Sequence, residues 1–140
     1  MIYLLAAVGG ACGALARWAL AGALPHSPGG WPWSTLVVNL VGCLLIGVLL
    51  AVLLAAYPHS AWLRPFLAVG VLGGFTTYST FAVDVVRLTG TGHQVLAVVY
   101  VLASVLGGVL AVVVGLVTAR AAIHAVDSLD AELRAGEGET

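Results

Sequence analysis

The chain has 140 residues, 61% of them hydrophobic and only 8% charged, where a soluble domain carries about 25% charged residues. That balance describes an integral membrane protein. The net charge of −1 and the absence of lysine leave no basic patch and exclude nucleic-acid binding, and Cys12 and Cys43, both inside apolar stretches, do not form the disulfide framework of a small secreted domain.

The first predicted element is an apolar span of about Ile2 to Leu24. No basic segment precedes it, so it reads as a retained span and not as a cleaved signal. Gly9 with Gly13, and Gly10 with Ala14, make two small-xxx-small pairs, a face for close helix packing. Arg17 lies well inside this span. It is either an arginine snorkelling to the interface or an anion attractor at the mouth of a path, since intramembrane charges usually mark pathways. Residues 25–32, Pro-His-Ser-Pro-Gly-Gly-Trp-Pro, form a loop by their turn chemistry. Trp31 and Trp33 suit the interfacial belt, and Ser34 is placed to cap the next helix.

The second span covers about Trp33 to Ala56. Its strongly polar residue is Asn39, whose amide must find a partner if buried in lipid. Helix–helix adhesion and a place on a polar path are both open for it. Gly42 and Gly47 again favour tight packing. Tyr57-Pro58-His59-Ser60 closes the span, with Trp62 and Arg64 at the interface.

The third span, about Pro65 to Val86, is unusual at its centre: Gly73-Gly74-Phe75-Thr76-Thr77-Tyr78-Ser79-Thr80-Phe81. Each glycine weakens a helix by roughly 1 kcal/mol relative to alanine. Four hydroxyl side chains follow within five residues. In lipid, a freed carbonyl is costly unless protein, water or an ion satisfies it, so a helix broken at mid-membrane is expected to serve a purpose. Its carbonyls can hold a cation and its hydroxyls can line a path. The competing reading is a kinked packing helix. Asp84 and Arg87, three residues apart, read as an interfacial ion pair, and Thr89-Gly90-Thr91-Gly92 as a turn.

The fourth span covers about Gln94 to Ala119. Tyr100, Ser104 and Gly108 recur at i, i+4 and i+8, a stripe of small and hydroxyl groups on one face. Residues 1–122 thus form a single four-span domain. Residues 123–140 form a polar tail with a short amphipathic pattern around Ile123, Val126 and Leu129. His26, His59, His93 and His124 all fall in loops or flanks, and no nucleotide-binding loop, metal cluster or catalytic triad is visible; the chain does not read as an enzyme. Four spans put both termini on one side. The arginines divide as Arg64, Arg120 and Arg134 on that side and Arg17 and Arg87 towards the other, a weak bias that permits insertion in both orientations.

Together these segments resemble one family. The run Gly73 to Phe81 is similar to the broken-helix signature of the small bacterial fluoride channels, the Fluc or CrcB family. Gly9-Gly10-x-x-Gly13-Ala14-x-x-Arg17, Asn39-Leu40-x-Gly42 and Tyr100-x-x-x-Ser104 resemble its first-, second- and fourth-helix motifs, in the same order. The resemblance implies an all-α dimer of antiparallel, dual-topology subunits in the bacterial plasma membrane, lowering fluoride toxicity by passive export. It implies a structural sodium ion on the dimer axis, held by the carbonyls of Gly73 and Thr76. It implies a fluoride path along Asn39, Tyr78, Phe81, Thr80, Ser104 and Tyr100, with Arg17 at its mouth. Tyr78 departs from the family's usual phenylalanine, and Gly108 stands where a second serine is frequent. Two alternatives fit the size: a four-helix multidrug-type transporter, which generally needs a carboxylate at mid-membrane that is missing here, and a non-conducting partner subunit of a heterodimeric channel.

Overall fold

The computed structural model describes residues 1–24, 30–58 and 60–137; the predicted placements of His26 and His59 lie outside them. The described residues are helical, with no strand among them. Helix α1 is Ile2–Ala23 and α2 is Trp33–Ala55. The next span opens as a π-helical segment, Arg64–Leu72, and continues into a short α3, Gly73–Phe75. Helix α4 is Tyr78–Gly90 and α5 is Gln94–Glu137. Four of these stretches are long and apolar enough to cross a membrane: α1, α2, the run Arg64–Gly90, and α5. Many of their large apolar side chains point outward, among them Leu15, Val69, Val98 and Leu110, as lipid-facing positions do.

Packing follows the small residues. Helix α1 lies mainly on the π-helical segment and α3, and α2 lies mainly on α5. At Gly13 an added Cβ would run into the Val71 carbonyl oxygen, and at Gly74 into that of Gly10. Backbone therefore touches backbone at both places, where no side chain fits. Gly47 meets Val112 and Gly115 meets Leu44 in the same way, holding α2 against α5. A second cluster joins α2, α4 and α5: Leu36, Leu88, Ala97 and Tyr100 are buried, with Trp31, Phe81 and Val85 packed against them.

Three expectations are corrected. Gly73, part of the expected interruption, is helical, with φ −66° and ψ −33°. The extended residues are Thr76 and Thr77, with ψ of 157° and 112°. Gly74 is occupied in letting α1 approach. Ser34 does not cap α2; Pro32 holds the N-cap position and no side chain caps it. Asp84 and Arg87 form no ion pair: Asp84 is buried against Thr35, and Arg87 is exposed. The polar tail also differs from the expected short amphipathic pattern. Helix α5 runs unbroken for 44 residues, about 66 Å at 1.5 Å per residue, whereas a bilayer's hydrocarbon core is about 30 Å thick.

Candidate functional site

The site begins with two residues that leave the helix. Thr76 and Thr77 are extended, so Thr77 has a backbone N–H and a backbone C=O that an ordinary helix would have paired. Asn39 on α2 satisfies both. The Thr77 N–H donates to Asn39 Oδ1 at 2.8 Å, and Asn39 Nδ2–H donates to the Thr77 carbonyl at 3.0 Å. The amide thus pairs with Thr77 as a neighbouring strand would. Gly42, one turn further along α2, supplies the space for the Thr76 methyl group, which a Cβ there would strike.

Helix α4 then restarts on its own cap. The Thr77 hydroxyl accepts the Thr80 N–H at 3.1 Å, the usual N-cap bond, and donates to Thr80 Oγ1 at 2.9 Å. On the other side, Thr76 N–H and Thr76 Oγ1 both donate to the Leu72 carbonyl at 2.9 Å. These diversions free two carbonyls. In a continuous helix, Gly73 C=O would accept from Thr77 N–H and Thr76 C=O from Thr80 N–H. Those donors are bonded to Asn39 and to the Thr77 side chain instead.

Two clefts flank this break. The first, about 320 Å³, is lined by Asn39, Thr76, Tyr78, Phe81 and Ser104, together with Thr77, Cys43 and two aliphatic side chains. Ser104 Oγ is buried and has no hydrogen-bond partner. Phe81 is tilted against Tyr78, centroids 5.8 Å apart, and Tyr78 is 81% exposed at the lip. The second cleft, about 240 Å³, is lined by Arg17, Ser34, Thr35, Thr77 and Thr80 with small and apolar residues of α1 and α2. Thr77 walls both.

The residues singled out in the sequence therefore separate. Asn39, Tyr78, Phe81 and Ser104 share the first cleft; Arg17 and Thr80 share the second. Tyr100 lines neither. It is fully buried behind Phe81, centroids 5.4 Å apart. Sequence reasoning gave no role to Thr77, Thr35 or Asp84. Thr35 had a usable signal, since it stands one turn before Asn39 on α2. Thr80 and Asp84 share a face at the same spacing.

Helices with a polar break, hydroxyl-lined clefts and no carboxylate on the cleft walls define a small multi-pass membrane protein of the conduit type. The chain belongs to the CrcB family: the family model described as CrcB-like protein, Camphor Resistance, matches residues 4–116. Its curated relatives are ion channels and not enzymes. It is 47% identical over 98 residues to the fluoride-specific ion channel FluC 2 of Streptomyces avermitilis, covering 70% of this chain and 62% of that protein's length. It is 41% identical to the fluoride-specific ion channel FluC 2 of Nocardia farcinica, covering 85% of both chains. It is 44% identical to the fluoride-specific ion channel FluC of Bordetella petrii, covering 85% of this chain and 91% of the relative.

Proposed function

We propose that the protein is a fluoride-selective channel that lets fluoride leave the cytoplasm passively across the bacterial plasma membrane. The observation that carries this reading is Ser104: a buried hydroxyl with no protein partner, in a cleft without carboxylates. Fluoride is small and strongly hydrated, so its path must replace water with donors. Ser104 has its proton to give, and Asn39 keeps its second Nδ2–H, because one alone goes to Thr77. Phe81 and Tyr78 offer ring edges, which carry positive potential. Arg17 in the adjoining cleft draws anions towards the break. A negative interior then drives the anion outward, by ~2.3 kcal/mol per charge per 100 mV.

The working unit in this reading is a dimer of antiparallel subunits, with the third span of each broken at mid-membrane. The exposure of Tyr78 supports a second copy closing the lip of the first cleft. The carbonyls of Gly73 and Thr76 fit a sodium ion, because both have lost their helical donors and a hard cation prefers oxygen ligands. Two chains would supply four such oxygens. When bound, the ion would balance the facing carbonyl dipoles and tie the subunits together.

The test is efflux from liposomes containing the purified protein, with a potassium ionophore balancing charge. Fluoride is expected to leave and chloride to stay. Equal release of both would overturn the selectivity claim.

A further inference from the structure

Asp84 is a buried carboxylate that the conduction scheme above does not use. It is 3% exposed, and no arginine lies within ion-pair distance among the described residues. Such a group is costly in an apolar setting unless its oxygens are hydrogen-bonded. Its Oδ2 accepts from Thr35 Oγ1 at 2.7 Å and, more weakly, from the Tyr100 hydroxyl at 3.5 Å. The two donors lead to different clefts. Thr35 walls the cleft that holds Arg17. Tyr100 is fully buried, with its ring against Phe81 on one side and in edge contact with Trp31 on the other, and Phe81 walls the first cleft.

A hydroxyl has one proton. Thr35 and Tyr100 both direct theirs to Asp84, so neither donates to an ion in the clefts; what they contribute there is position. We infer that Asp84 is a positioning residue for the conduit, with one carboxylate oxygen holding a wall of each cleft: Thr35 directly, and Phe81 through Tyr100. This rests on the reading of the first cleft as a fluoride path.

The inference predicts how substitutions combine. Asp84→Ala removes the shared acceptor and should lower fluoride efflux by about tenfold or more, and narrow the preference for fluoride over chloride. Asp84→Asn keeps the size and one acceptor oxygen and should stay within about threefold of the parent. Tyr100→Phe cuts one branch and should cost less than Asp84→Ala. In the Asp84→Ala background it should cost nothing further, because the hydroxyl already lacks its acceptor.

A readout independent of fluoride comes from Cys43, which lines the first cleft. In a Cys12→Ser background, the labelling rate of Cys43 by a small maleimide should change severalfold with Asp84→Ala and hold with Asp84→Asn. Parent-like efflux and labelling in Asp84→Ala would overturn the inference. So would Asp84→Asn as impaired as Asp84→Ala, or losses that multiply in the Asp84→Ala, Tyr100→Phe pair. If the parent passes no fluoride yet the labelling pattern appears, the positioning role stands and the channel reading falls.

Discussion

The two halves of the third span are held by different physics. Before the break, Arg64–Phe75 is fixed to α1 by backbone contact at Gly9, Gly13, Gly70 and Gly74, where even a methyl group meets main chain. After it, Tyr78–Gly90 is held by directed contacts: Asn39 on Thr77, Thr35 on Asp84, and Phe81 on Tyr100. The first half tolerates no added volume and carries little polar chemistry. The second tolerates a change of shape but depends on particular atoms. Anchoring by glycine and function by hydrogen bond thus sit in one span, separated by two extended residues.

The largest effect should come from the anchoring half. Gly13→Val places branched carbon against the Val71 carbonyl and the Phe75 amide nitrogen; overpacking of this kind costs ~1–3 kcal/mol or more. We expect loss of monodisperse protein on size-exclusion in detergent, whatever the state of the clefts. Next comes the joint between the halves. Asn39→Ala strands the Thr77 N–H and C=O, each at a cost of ~1–3 kcal/mol. Protein should be recovered with lowered thermal stability, and fluoride efflux should fall by more than about tenfold.

The directed half should show graded effects. Phe81→Ala and Tyr78→Ala remove rings from the first cleft and should each lower efflux by more than about tenfold. Tyr78→Phe removes a single hydroxyl from an 81% exposed side chain and should stay within about tenfold, since one neutral hydrogen bond contributes ~0.5–1.5 kcal/mol. A dead Tyr78→Phe beside a normal Phe81→Ala would show that these rings do not line the path. The smallest effect is expected at Gly22, where an added Cβ meets nothing within 4 Å. Gly22→Ala should leave both elution and efflux unchanged, and a loss there would mean that glycines in α1 matter for reasons other than close packing.

The four apolar stretches were legible because span length and hydropathy are local properties, and three of the helices end within a few residues of the predicted bounds. The run 73–81 was also legible as irregular. Which residues in it would leave the helix was not. A glycine in a helix reads equally as a weak point or as a contact, and only the position of Gly10 opposite Gly74 decides between them. Asp84 misled for a similar reason. Arg87 lies three residues away in sequence, but Thr35, which binds it, lies 49 away. Arg17, Asn39, Phe81 and Ser104 were correctly singled out as polar or aromatic exceptions in apolar runs, yet nothing in their spacing showed that Arg17 belongs to a separate cleft. The helical course of α5 beyond Ala119 was underestimated because its polar composition resembles that of a tail, although Ala, Leu, Arg and Glu are strong helix formers.

The π-helical turns of Arg64–Leu72 have a genetic consequence. A π-turn holds more residues than an α-turn, so such a segment is the structural trace of an extra residue accommodated in a helix. Loss of one codon here would let the stretch rewind as ordinary α-helix, with its own hydrogen bonds intact. It would also turn everything downstream by about 100°, moving Gly74 off Gly10 and Thr77 off Asn39. In-frame deletions between Arg64 and Leu72 should therefore be lethal to function while leaving the helix itself undamaged, whereas single-residue deletions in the exposed stretch of α5 beyond Ala119 shift nothing that the clefts rely on.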